Sequence, residues 1–218
     1  MEKFEAVRPK QLLRSSVVDT IQAAIISGQL EPDVVYSAPK LAAQFGVSAT
    51  PVREAMMTLD REGLIDTVPN KGFRVRELSA AELDELCQLR ILIEVPTVGH
   101  IAAGSIAQHR LDNVRALAVR TETSAQAGDL IEHSKIDLEF HTALLALHGN
   151  ARLVEVVRDL RKRSRLRGLR SHTNHHLLVS AAHEHQEIVD LVEQHDVPRV
   201  ERLMTKHIND VRRLWAED

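Results

Sequence analysis

The stretch from Gly46 to Val75, GVSATPVREAMMTLDREGLIDTVPNKGFRV, constrains the fold more tightly than any other part of the chain, because its punctuation leaves little freedom. Just before it, Ser37 is a good helix N-cap and Pro39 falls in the first turn, so a helix opens there, buries Leu41, Ala42 and Phe45, and stops at Gly46. That spacing makes a helix of about two turns. After the turn Val47-Ser48-Ala49, Thr50 and Pro51 start a second helix. Its Val52, Ala55, Met56 and Leu59 recur at i, i+3, i+4 and i+7 and form one apolar face. Thr50, Arg53, Met57 and Arg61 then point outward, and Gly63 ends the helix. Ile65 to Val68 and Phe73 to Val75 alternate as short strands about a turn-rich tip, Pro69-Asn70-Lys71-Gly72, that carries one cation. Two short helices followed by such a hairpin make a winged helix-turn-helix, a shape suited to reading DNA.

A chain of 218 residues has room for two modest domains or one large one, and a hydrophobic content of 44% is ample for a packed core. Only 3% is aromatic, so that core must be aliphatic. No stretch approaches the uninterrupted apolar length of a membrane span, and the opening MEKFEAVRPKQLLRS lacks the apolar run of a secretion signal. A cytoplasmic protein with no membrane partner is expected. The single cysteine, Cys87, excludes an internal disulfide, fits a reducing compartment, and lies between Leu86 and Leu89 as a packing residue. A net charge of -3 does not advertise nucleic acid. Through Glu77, 10 basic residues face 10 acids, so DNA binding must rest on local placement of Lys and Arg, with moderate salt dependence.

From Ser79 onward the periodicity is helical. Ser79 and Glu82 make a capping box for a helix through Leu83, Leu86, Leu89, Arg90 and Ile93 that should kink or break at Pro96. Further helices are expected over Leu111 to Ala127 (closed by Gly128), Leu130 to Leu147 (closed by Gly149-Asn150), Ala151 to about Leu169, Ala181 to Glu193, and Val197 to Trp215. Asn150 is most simply a helix cap. The polar break from Ser171 to His176 is long enough to be mobile. The fold class is therefore mainly α: a winged helix-turn-helix over residues 1–77, then an all-α antiparallel bundle of six or seven helices over 78–218.

Twelve histidines make metal-like spacings frequent by accident. Asp137 and His141 share a helical face at i, i+4, but so do Asp129 with His133 and His172 with His176, so the face each occupies must discriminate. His141 lies with Leu138, Leu144 and Leu145; His185 with Ile188, Val189 and Val192; His207 with Leu203, Met204, Val211 and Leu214. These three face inward. His183 shares its face with Ser180, Glu187 and Asp190, and His172, His175 and His176 fall in the polar break, so those are solvated. Taken singly, each inward histidine is more often a hydrogen-bonded core residue. Together, three imidazoles and Asp137 are costly to bury unpartnered, and one divalent ion would satisfy all four. Arg90, one turn before Glu94, is either half of an i, i+4 surface ion pair or a guanidinium clamp on an anion. The basic run Arg158, Arg161, Lys162, Arg163, Arg165, Arg167 and Arg170 is a second candidate source of a cation for an anion; most such runs are solvated helix ends, and in a minority of cases one member reaches a pocket or DNA.

At GVSATPVREAMMTLDREGLI and VPNKGFRV the sequence resembles the winged-helix head of the GntR family of bacterial transcription regulators. ELDELCQLRILIE, DLEFHTALLALHGNARL and EHQEIVDLVEQHDVPRVERLMTKHI resemble the FCD ligand-binding domain of its FadR-like branch. The resemblance implies DNA contact by Ser48, Thr50 and Arg53 in the helices and by Lys71 and Gly72 at the wing tip. It implies metal ligation by Asp137, His141, His185 and His207, with Zn, Ni or Mn suited to that donor set, and an effector-facing Arg90. Two positions depart from the family: Ala49 stands where an Arg is usual, and Ala38-Pro39-Lys40 replaces an acidic-Arg-acidic run, leaving Lys40 as a candidate phosphate contact.

The function expected is that of a ligand-responsive transcriptional regulator, a repressor, binding palindromic operator DNA as a homodimer under control of a small organic acid held at the metal. The rivals are a helical-bundle metalloenzyme, which lacks an acid or base placed beside the ligands, and a DNA-binding protein whose metal is purely structural.

Overall fold

In the computed structural model, which describes residues 9–164 and 175–216, the chain divides between Glu77 and Leu78 into two compact units. The first contains α1 (Pro9–Ile26), β1 (Val35–Tyr36), α2 (Ala38–Phe45), α3 (Ala49–Arg61), β2 (Ile65–Val68) and β3 (Gly72–Val75). α2 forms where the punctuation asks for it. Ser37 Oγ accepts the Lys40 amide, a Pro occupies the first turn, and Gly46 closes the helix in the left-handed region at φ 67°. In α3 the apolar face is fully inside, with Val52, Ala55 and Leu59 at 0% exposure. Phe45 was expected in the core but is only half-buried, because it ends the short α2 and Leu41 and Ala42 already fill its inner face.

Two elements of this unit carry weak sequence signals. α1 packs on α3 through a stripe of Val17, Ile21, Ala24 and Ile25, and β1 adds a third strand to the hairpin in the order β1-β3-β2. β1 pairs antiparallel with β3, Tyr36 opposite Phe73, and β3 pairs with β2 from Ile65 opposite Val75 to Val68 opposite Gly72. Gly72, at φ 138°, is where β1 crosses: a Cβ there would overlap the Tyr36 carbonyl.

The second unit contains α4 (Ala80–Ala103), α5 (Gln108–Gln126), α6 (Leu130–Ala146), α7 (Ala151–Ser164), α8 (His175–Glu193) and α9 (Val197–Ala216), six helices among the described residues. α4 lies against α7 and α9, α5 against α6 and α8, and α8 against α9. The core between them is aliphatic around one aromatic ring, with Leu83, Val98, Phe140, Leu144, Ile188 and Met204 buried. Caps follow the sequence closely. The Ser79 and Glu82 box is formed in both directions, Asp129 Oδ1 accepts the Glu132 amide, and Asn150 Oδ1 accepts the Leu153 amide.

Three expectations for this unit are corrected. α4 does not break at Pro96. Pro96 is exposed, so the carbonyl it orphans lies on the outer face of the helix, while Thr97 Oγ1 donates to the Ile93 carbonyl at 2.6 Å. α4 is also long and apolar enough, by length and composition, to cross a membrane, which the sequence reading denied for every stretch. It is the core helix of this unit, with Arg90 and Glu94 buried at its middle. α8 begins at His175 rather than Ala181, because Leu178 and Ala182 pack with Ala125 of α5 and extend the buried face backward. The expected end of the preceding helix near Leu169, the polar break over 171–174, His172, and Arg165, Arg167 and Arg170 lie outside the described residues.

Candidate metal centre and nucleic-acid interface

Asp137 and His141 sit one turn apart on α6 and so project from one face, while His185 of α8 and His207 of α9 come in from two other helices. Their four donor atoms lie within 4.8 Å of one another. His141 Nε2 is 3.2 Å from His185 Nε2, which is 3.3 Å from His207 Nε2; Asp137 Oδ1 is 3.6 Å from His141 Nε2 and 3.4 Å from His185 Nε2. Donors about 2.1 Å from a common ion stand about 3.0 Å apart in cis octahedral positions and about 3.4 Å apart in tetrahedral ones, so these separations suit a shared ion. The histidines are 0 to 1% exposed, whereas the Asp137 side chain is 14% exposed and marks the open side.

Whether the donor set fits a cation depends on where the imidazole protons sit. Thr121 Oγ1 of α5 donates to the Ala118 carbonyl at 2.7 Å, so at 2.8 Å it can only accept from His185 Nδ1, which must carry the proton. His207 Nδ1 likewise donates to the Glu184 carboxylate at 2.9 Å. In the neutral form of each ring, Nε2 then presents a lone pair toward the other ring, 3.3 Å away. Burial above all holds His141 and His185 well below the ordinary imidazole range, so these two rings stay neutral. Phe140 stacks on His185 with ring centres 4.3 Å apart and keeps water from that side. A convergence of donor atoms with outer partners orienting two of the three imidazoles is an arrangement that suits a bound divalent ion.

Beside the donors lies a buried ion network that the sequence reading only partly found. Arg90 is 2% exposed rather than at the surface, and its Nε donates to Glu94 Oε1 at 2.7 Å. Arg161 of α7, assigned by sequence to a solvated run, is 3% exposed. It donates to Glu94 Oε2 at 2.7 Å through Nη2 and to Asp137 Oδ2 at 3.3 Å through Nη1. Asp137 thus has one oxygen held by Arg161 and the other turned to the histidines. Burial, with Arg90 close by, lowers the Arg161 guanidinium to about 10. For Glu94 burial pushes upward, but Arg161 and Arg90 outweigh it and hold the carboxyl below its ordinary range. Glu94 Oε2 is 3.7 Å from His141 Nδ1, so an acid does stand beside the ligands, contrary to expectation, but it is locked between two guanidiniums and is no base. Among the described residues, two buried polar atoms have no hydrogen-bond partner: Arg90 Nη2 and His141 Nδ1.

Sequence reasoning missed Glu184 and Thr121, and it named Arg161 only as one member of a run expected to be mostly solvated. Arg161 had a signal, since it lies four and seven residues after Val157 and Val154 on the buried face of α7. The accidental spacings resolve as structure: Asp129 caps α6, His133 Nδ1 lies 3.1 Å from the Thr121 carbonyl, and His183 is exposed beside Glu122.

In the first unit, Thr50 and Arg53 stand exposed on the outer face of α3 with Met57, which is 51% exposed, and Ser48 is its N-cap residue without a side-chain capping bond. Lys40 is exposed in the first turn of α2. Lys71 is exposed at the tip between β2 and β3, where Asn70 takes φ 59° and the Lys71 amide closes the turn on the Val68 carbonyl. Gly72 has a backbone reason for being Gly in its closeness to Tyr36.

Comparison with known proteins gives matches over both units. Residues 13–75 match the description "Bacterial regulatory proteins, gntR family", and residues 85–210 match the FCD domain. The chain is 34% identical over 142 residues to the Nta operon transcriptional regulator of Aminobacter aminovorans, an alignment spanning 64% of this chain and 66% of that one. It is 29% identical over 203 residues to the "Probable D-xylose utilization operon transcriptional repressor" of Paenarthrobacter nicotinovorans, covering 91% and 88% of the two chains. Among solved structures, E. coli McbR/YncC superposes with a TM-score of 0.75 at 22% identity over 90% of this chain and 93% of that one, a likeness of fold.

Proposed function

The chain belongs to the GntR family of bacterial regulatory proteins with an FCD domain, a family of transcriptional regulators and not of enzymes, and from that premise we propose a metal-dependent, acid-responsive repressor. It binds palindromic operator DNA in the cytoplasm as a homodimer, one winged unit to each half-site. Arg53 and Thr50 of α3 read base edges in the major groove, Ser48 and Lys40 hold phosphate, and Lys71 carries the wing, with Gly72 shaping its tip. With Ala49 and Pro39 in place of two usual contact positions, more of the affinity rests on Arg53.

In the second unit Asp137, His141, His185 and His207 hold a divalent ion. Three imidazoles and one carboxylate suit Zn, Ni or Mn, and the ion supplies a Lewis-acidic seat for a carboxylate effector whose other contacts include Arg90. Thr121 and Glu184 keep two of the imidazoles in the ligating tautomer, and Arg161 leaves only one Asp137 oxygen for the ion. The observation carrying this reading is the convergence of four donor atoms from three helices within 4.8 Å of one another in a buried site.

The test uses full-length protein and duplexes selected from a random-sequence pool. Arg53→Ala should weaken the selected duplex by about 1 to 3 kcal/mol. Joint substitution of His141 and His185 by Ala should remove metal from the purified protein and the response to added organic acids, while DNA binding persists. An Arg53→Ala protein with unchanged affinity would contradict the reader assignment, and an undiminished acid response in the metal-free variant would contradict the effector site.

A further inference from the structure

We propose that Met57 is a specificity-determining residue of the DNA-reading face, packing its thioether against the C5 methyl group of a thymine at one position in each operator half-site. This rests on the reading of α3 as the helix that enters the major groove, with Arg53 as its base contact.

Two adjacent methionines meet opposite fates in α3. The helix lies against α1, α2 and β2, and the side chains it turns to them include Met56, at 1% exposure, while Met57 stands 51% exposed. The core takes one methionine and leaves the other. A single exposed apolar side chain is ordinary on a protein surface, so its place decides what it means. Opposite the buried stripe of Val52, Ala55, Met56 and Leu59, helical periodicity puts Thr50, Met57 and Arg61 on one line at i, i+7 and i+11, with Arg53 on one flank and Glu54 on the other. All five are exposed, and Met57 is central among them.

In the major groove that place has one apolar counterpart. Base edges there present hydrogen-bond donors and acceptors, except for the C5 methyl group of thymine. A thioether gains little from those polar atoms or from a phosphate, whereas a methyl group taken out of water against it is stabilising. Cytosine in the same place offers an amino group, which Met57 would strip of water without supplying an acceptor. Nearby side chains leave this part of the readout open. Ala49 at the start of α3 carries only a methyl group, and the Thr58 hydroxyl is turned back on the Glu54 carbonyl at 2.9 Å. Met57 lies about 12 Å along the helix from Ala49, no more than the breadth of the major groove, so it stays beside base edges when the first turns are seated.

The deciding experiment uses full-length protein and duplexes selected from a random-sequence pool, with each thymine replaced in turn by deoxyuridine, a change that deletes the C5 methyl group and nothing else. At one position in each half-site the replacement should weaken binding about fourfold, the worth of one buried methyl group, and about fifteenfold when made in both half-sites. In Met57→Ala the ratio of thymine to deoxyuridine affinity at that position should fall to about one, and in Met57→Leu, which keeps the apolar bulk, it should persist. Arg53→Ala should weaken both duplexes alike and leave the ratio in place. If no thymine methyl group matters while Arg53→Ala still weakens the duplex, the thymine contact is overturned and the reader assignment stands. A methyl effect of unchanged size in Met57→Ala belongs to another residue and overturns the role of Met57. An Arg53→Ala protein with unchanged affinity overturns the reader assignment, and the proposal with it.

Discussion

Glu94 has 0% exposure and accepts from both Arg90 and Arg161, so it neutralises two buried guanidiniums at once. Glu94→Gln keeps the shape and removes the charge that both arginines were buried against. Breaking a buried ion pair from one side costs about 3 to 5 kcal/mol, more than the pair itself contributes, because the orphaned charge cannot recover its water. Urea unfolding of the variant should show that loss; a loss near zero would mean that the network is solvated. The buried histidines set a pH dependence. In the unfolded chain their imidazoles take protons near pH 6.5, but in the folded protein burial above all keeps His141 and His185 neutral to well below that value. The folded state then binds fewer protons than the unfolded one, so this stability is complete above about pH 6.5 and is lost as pH falls, by at most about 2.7 kcal/mol per unit for two groups. Melting of metal-stripped protein from about pH 7 to about pH 5.5 should follow that slope, and a flat profile would contradict neutral burial. The inward histidines could be read from sequence because each sits in an apolar helical stripe. Arg161 sits in such a stripe too, yet the charge run around it masked the signal, and Glu184 could not be found because its role depends on which histidine nitrogen faces it across two helices.

The helix-turn-helix of α2 and α3 was legible because caps, proline and glycine are local signals whose physics acts within one turn. α1 and β1 were not. α1 has a clear stripe but no acidic first turn to announce it, and β1 is two residues long with an exposed Val35, so only its pairing with β3 makes it a strand. Pro96 shows the converse, a strong local breaker overruled by the packing of α4 in the second unit. Gly72 is where local backbone and neighbouring strand meet, and it gives an element-scale prediction. Gly72→Ala would place a Cβ against the Tyr36 carbonyl at a φ that L-residues avoid, at a cost to the wing of about 2 kcal/mol or more. Hydrogen exchange at the β3 amides should accelerate and affinity for the selected duplex should fall, while zinc binding by the second unit stays at the native value. Unchanged exchange would show that β1 gives way without cost.

The two units are covalently joined through Arg76, Glu77, Leu78 and Ser79, between the end of β3 at Val75 and the start of α4 at Ala80. α4 carries Arg90 and Glu94 beside the candidate ion, so under the proposed function a ligand-driven shift of this helix would reach the wing strand through that connection. A ligand changes operator affinity only to the extent that it binds the DNA-competent and DNA-incompetent states differently, and by reciprocity the operator must change ligand affinity by the same factor. If that difference is transmitted along the backbone, softening the connection should remove it while sparing both ends. A flexible insert of about six Gly and Ser residues between Glu77 and Leu78 lets the ends fluctuate by about 13 Å, enough to uncouple small helix shifts. In the native protein zinc with succinate as the probe acid should change duplex affinity by about fivefold or more, a typical coupling. In the insert variant zinc and succinate should bind as before and a single half-site should be recognised as before, but the two ligands should no longer alter duplex affinity. A variant that kept the full response would show that the signal passes between protomers or across the unit surfaces, and the short connection after β3 would then be only a tether.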